Sequence, residues 1–97
     1  MTNLIPTHYS NRIRQLRMEK RLTQRQLARI MGYESVSSLS HMEGGRKLPS
    51  MKTVIKLEAA LQRPIRDIYP RLFDSLYDPV ARRRVKHFKA QLTPPAL

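Results

Sequence analysis

Apolar residues recur along this chain at the spacing of helices rather than strands. Ile13 and Leu16 define a first inward face, and the spacing predicts a helix over about 11–20 with Ser10 as its N-cap. Thr23 and Gln26 make a T-x-x-Q capping box ahead of a second helix. Its stripe is Leu27, Ala28 and Met31, and Gly32 stands where a helix-ending glycine belongs. Val36, Leu39 and Met42 predict a short third helix, capped by Ser35 and running to about Glu43. Gly44-Gly45 stops it, because glycine adopts the left-handed backbone at little cost. Pro49-Ser50 opens a fourth helix with Val54, Leu57 and Leu61 on one face. Pro64 opens a short fifth helix around Ile65 and Ile68, which Pro70 closes.

No alternating strand pattern and no internal repeat interrupts this series, so the fold class is all-α. The region after Pro70 differs. Asp78-Pro79 reads as the N-cap and first position of a last helix over about 79–92. Ala81, Val85, Phe88 and Leu92 give it a narrow apolar seam, and Arg82, Arg83, Arg84, Lys86 and Lys89 cover most of the rest. The expected organisation is a flexible tail at 1–8, a helical domain at 9–70, a basic amphipathic helix at 71–92 and a disordered tail at 93–97.

Charge sharpens the picture. The chain carries 19 Lys and Arg against 7 Asp and Glu, a net charge of +12 over 97 residues. A partner of opposite charge follows, nucleic acid before an anionic membrane surface. Chemistry is sparse by contrast. There is no cysteine, so neither a disulfide nor a thiolate metal site is available. His8, His41 and His87 are isolated from one another, and no metal-ligand spacing, phosphate-binding loop or nucleophile elbow appears. No enzyme, cofactor or metal is expected. No run of apolar residues approaches a membrane span, and the first residues lack the pattern of a secretory signal, so a cytoplasmic protein is expected.

The third helix holds the functional signal. Residues 31–50 contain five serines and a histidine, although serine competes for backbone hydrogen bonds and is a poor interior helix residue. The second and third helices are joined by only "GYES", the arrangement of a helix-turn-helix unit. Short hydroxyls that both donate and accept suit a helix whose outer face meets base edges or phosphates. The plainer reading is a solvated face with serines as caps.

Residues 13–69 carry a family pattern in "RLTQRQLA", "MG", "LSHMEGG", "LPS" and "ALQRPI". The stretch resembles the lambda-repressor-like, or Xre, helix-turn-helix family. That resemblance implies a five-helix DNA-binding domain acting as a dimer on a palindromic operator, here followed by the basic C-terminal helix. One departure is visible: from Gly32 to Leu39 the turn is one residue longer than the commonest family spacing.

Carried over position by position, the resemblance makes Gln24 a phosphate contact, with Arg25 able to add another. Ser37, Ser38 and His41 become base-reading positions. Ser35 and Ser40 are neighbours within reach of phosphate, and Arg46 and Lys47 clamp the backbone. The matching glutamate, Glu43, pairs with Arg17 on the first helix as scaffold.

The function expected is a sequence-specific double-stranded DNA-binding transcriptional regulator, a repressor. The homodimer and any protein partner would use the C-terminal helix, whose seam can also pack on its own domain. Two rival readings remain. One is an antitoxin that represses its own operon and binds a protein toxin. The other is a basic RNA-binding or membrane-surface protein. The second lacks support, because the chain has no tryptophan, no broad apolar face and too few aromatics for base stacking.

Overall fold

The computed structural model describes residues 9–92, and the regular secondary structure among these is all helical. Six helices follow one another: α1 (Ile13–Glu19), α2 (Gln24–Ile30), α3 (Ser37–Glu43), α4 (Met51–Leu61), α5 (Ile65–Ile68) and α6 (Pro70–Leu92). The tails expected at 1–8 and 93–97 lie outside the described residues, as does the side chain of Leu92.

Local chemistry sets most helix boundaries. At α2 the Gln26 N–H donates to Thr23 Oγ1 at 3.1 Å, and the Thr23 N–H donates back to Gln26 Oε1 at 2.8 Å. At α4 the Thr53 N–H donates to Ser50 Oγ at 3.2 Å. Besides α4, which ends on left-handed Gln62 (φ 55°), three helices end in one shared closure, at Arg21 (φ 56°), Gly32 (φ 86°) and Gly45 (φ 74°). In each, the following residue donates back to the last turn: Leu22 to the Arg17 carbonyl, Tyr33 to that of Ala28, and Arg46 to that of His41. Glycine takes this conformation without the steric cost that Arg21 bears.

Two expected caps are corrected. Ser10 is exposed and does not cap α1; Arg12 holds the cap position without a side-chain bond, and Asn11 just before it satisfies the first helical N–H. Its amide nitrogen donates to the carbonyls of Met42 at 2.7 Å and Tyr9 at 3.0 Å, which leaves Oδ1 to accept from the Ile13 N–H at 3.1 Å. Likewise α3 begins at Ser37 with Val36 at the cap position and no side-chain bond there. The longer turn leaves Ser35 one residue too early to cap.

The C-terminal region is corrected more substantially. Instead of a helix starting at Asp78-Pro79, α6 is continuous over 23 residues from Pro70, with Pro79 inside it. The boundary expected between 70 and 71 therefore falls within the first turn of α6. Pro70 opens this helix, because its missing N–H costs nothing in a first turn. The Phe73 N–H reaches back to the Tyr69 carbonyl at 2.8 Å, so the chain turns from α5 straight into α6.

Ile13 and Leu16 of α1, Leu27 and Ala28 of α2, Leu39 and Met42 of α3, and Leu57 and Leu61 of α4 meet in one buried core. Met31, Ile68 and Tyr69 complete it, and Leu72 of α6 packs against its edge. Leu57 and Leu61 are fully buried, and truncating either to alanine is worth about 2–5 kcal/mol. This core holds α3 with its apolar side inward and its serines outward.

Candidate nucleic-acid interface

Around the axis of α3, Leu39 and Met42 point into the core while Ser37 and His41, one turn apart, are exposed. Ser40 flanks them on one side, exposed, and Ser38 on the other, half-buried. Ser38 borders a small cleft of about 160 Å³ with Tyr33, Lys47 and Thr53. Arg46 and Lys47 follow the Gly45 closure directly, and both are exposed. Short polar groups and two cations thus occupy one continuous edge, from the outer face of α3 to the loop behind it.

The start of α2 supplies a second group. Arg25 is exposed, and with Arg29, Tyr33, Glu34 and Ser35 it lines a cleft of about 230 Å³. Arg29 is a cation that the motif reading passed over; its position four residues after Arg25 on the same face was the available signal. Lys56 is another, with its ammonium 4.9 Å from the centre of the Tyr33 ring, beside the turn. Neither α2 nor α3 has an acidic residue in its first turn to oppose a phosphate.

Gln24 is placed differently from the others. Its Nε2 donates to Glu43 Oε1 at 3.0 Å, and the residue is half-buried. Gln24 therefore joins the scaffold beneath the edge rather than standing free on it. The scaffold centres on Arg17, whose Nε lies 2.7 Å from Glu43 Oε2 and whose Nη2 lies 3.3 Å from Oε1. A further bond runs from Arg17 Nη1 to the Leu22 carbonyl at 2.8 Å. The Arg17 and Glu43 side chains are only 12% and 6% exposed, so the ion pair ties α1, the turn before α2 and the end of α3 together in low dielectric.

The family model for helix-turn-helix proteins matches residues 13–68. The chain belongs to the helix-turn-helix family. The match covers almost the same residues that carried the Xre-type resemblance, and a domain of this family is of the DNA-binding, transcription-regulator kind. The multiprotein-bridging factor 1a of Arabidopsis thaliana is similar, 37% identical over 62 residues, which cover 64% of this chain and 43% of that protein. The chain thus aligns with less than half the length of that relative. No solved structure matches it. Among the described residues no helix is long and apolar enough to cross a membrane. Nor does any cluster of three His, Cys, Asp or Glu there suit a metal ion.

The first turns of α6 pack against the helix-turn-helix core through Leu72. Beyond its first turns Leu76, Tyr77, Val80, Val85 and Phe88 are 47–64% exposed. The seam of Ala81, Val85 and Phe88 is therefore not packed on its own domain.

Proposed function

We propose that this helix-turn-helix protein is a sequence-specific repressor that binds an inverted-repeat operator as a dimer, with one α3 in the major groove of each half-site. The observation that carries the reading is the pairing of Ser37 and His41 on the outer face of α3, opposite buried Leu39 and Met42. Arg46 and Lys47 stand where that helix meets the phosphate backbone. Serine and histidine reach base edges with one or two hydrogen bonds, so each contributes no more than about 1–3 kcal/mol of discrimination. Phosphate contacts then supply most of the affinity and make it steeply salt-dependent.

Selection of binding sites from random duplex DNA tests this reading, with the wild type beside a Ser37→Ala, Ser38→Ala, His41→Ala triple variant. An enriched inverted repeat with half-sites about 34 Å apart, blurred in the variant, supports it. Uniform binding by both proteins with no enriched sequence would overturn it.

A second reading has one observation in its favour: the exposed apolar residues of α6 offer a surface to another protein. The relative's name, a multiprotein-bridging factor, points the same way, and an antitoxin would use such a surface for its toxin. Co-purification of a second protein in a defined ratio is the result that would favour it.

A further inference from the structure

We propose that α6 is the self-association element: two copies pair antiparallel through it and cross at Ala81. This rests on the dimer reading above and adds to it a surface and a geometry.

The residues of α6 fall into rows four apart. One row runs Leu72, Leu76, Val80, Arg84, Phe88, and the adjacent row Phe73, Tyr77, Ala81, Val85. These two rows side by side, apolar except at Arg84, whose guanidinium lies 5.0 Å from the centre of the Phe88 ring, form the ridge and groove that interlock when helices pack at about −50°. Ala81 is the midpoint of the 23-residue helix and the smallest side chain on either row between bulky neighbours. Closest approach of two backbones therefore falls there. Pro79 lies on the far side of the helix, on a row with Ser75 and Arg83, away from the proposed contact.

Charge selects the occupant. The row next to the apolar pair reads Asp74, Asp78, Arg82, Lys86, acidic in the first half and basic in the second. Among the described residues neither Asp78 nor Arg82 has an ion-pair partner, and Asp74 is held only loosely, 3.9 Å from Arg66. Parallel pairing would set cations on cations. Antiparallel pairing about Ala81 sets Asp78 of one chain beside Arg82 of the other, twice by symmetry. A second copy carries the required reversed pattern automatically.

The surface also continues into the body. Leu76, Tyr77 and Val80 help to line an apolar groove of about 550 Å³ shared with Leu48 and Met51. Pairing of α6 would shield the near wall of that groove from water, a gain proportional to the apolar area covered.

The absence of cysteine allows single-residue disulfide trapping in the full chain. Ala81→Cys should oxidise to a covalent dimer, because the two-fold axis brings residue 81 against its own copy. Asp74→Cys should not, since the two copies of that residue would be about 21 Å apart along the helices. In sedimentation experiments Asp78→Arg and Arg82→Asp should each weaken the dimer about tenfold, and the double variant should restore it. Both positions are exposed, so circular dichroism should show each variant folded. A dimer that neither crosslinks through position 81 nor responds to the charge reversals would overturn the helix pairing while leaving the dimeric repressor intact. A monomer selecting a single half-site would overturn both, and would turn α6 into a surface for a different protein.

Discussion

Arg17 and Glu43, twenty-six positions apart in sequence, meet through two nitrogen–oxygen contacts of 2.7 and 3.3 Å. The contact fixes the end of α3 to α1, and Gln24 extends it to the start of α2. Helix α3 is thereby referenced to both other helices of its half of the domain. Glu43→Gln should leave the Arg17 charge nearly buried and uncompensated, a loss of about 3–5 kcal/mol. For a domain of this size the melting temperature should fall by more than about 10 °C. Calorimetry measures it directly, and an unchanged melting temperature would show that the pair contributes nothing.

Tyr69 is fully buried, and its hydroxyl finds no hydrogen-bond partner among the described residues. Burial pushes its pKa from 10.0 up to about 12. The folded form therefore keeps the proton between those values while the unfolded chain loses it. Stability is held below pH 10 and lost as pH rises toward 12. Tyr69→Phe should remove this part of the alkaline loss. Near neutral pH it should leave stability unchanged or slightly raised, because it removes an unpaired buried polar group. Denaturant melts of both proteins from pH 7 to 11 would show the curves diverging only in the alkaline limb.

Electrostatics makes a third quantity measurable. If each subunit neutralises about four phosphates, the dimer should show a log–log salt slope near −7. Arg46→Ala with Lys47→Ala should remove two contacts per subunit and bring the slope to about −4, equally on operator and random DNA. Fluorescence anisotropy across a salt series reads both values. An unaltered slope would move the phosphate clamp elsewhere, with Arg25 and Arg29 the next residues to replace.

Pro79 interrupts the hydrogen-bond ladder of α6, since it offers no N–H to the Ser75 carbonyl one turn back. Ser75 Oγ meanwhile donates to the Leu72 carbonyl at 2.7 Å. Pro79→Ala should stabilise the helix by up to about 3 kcal/mol and raise helicity in far-ultraviolet circular dichroism. The proposed DNA-contacting edge is far along the chain from this position, so half-site affinity should not change. A fall in helicity would mean that the proline shapes α6 in a way its neighbours depend on.

The site was legible where the signal was local. Thr23, Gln26 and Ser50 announce helix starts because their side chains bond backbone groups three residues away. Gly32 and Gly45 announce ends because their φ angles are positive. The outer face of α3 followed from Leu39 and Met42, whose spacing forces Ser37 and His41 to the opposite side. Gln24 was not legible in this way. Its partner Glu43 lies nineteen residues on, and only the packing of α2 against α3 brings them together. Asn11 escaped for the same reason: Ser10 is as good a cap by type, but the Met42 carbonyl holds Asn11 in place.

Caps, turns and helical periodicity act over three to five residues, and they suffice to specify five short helices and the direction in which each is apolar. They also specify the basic charge, which no folding can change. The reach of α6 was a tertiary outcome. Either Pro70 or Pro79 is an acceptable first residue of a helix, and the choice fell to the Tyr69 carbonyl and to Leu72 packing on the core edge. The exposure of Val85 and Phe88 was decided the same way, because a continuous helix leaving the domain at Pro70 carries them beyond the core that would otherwise cover them.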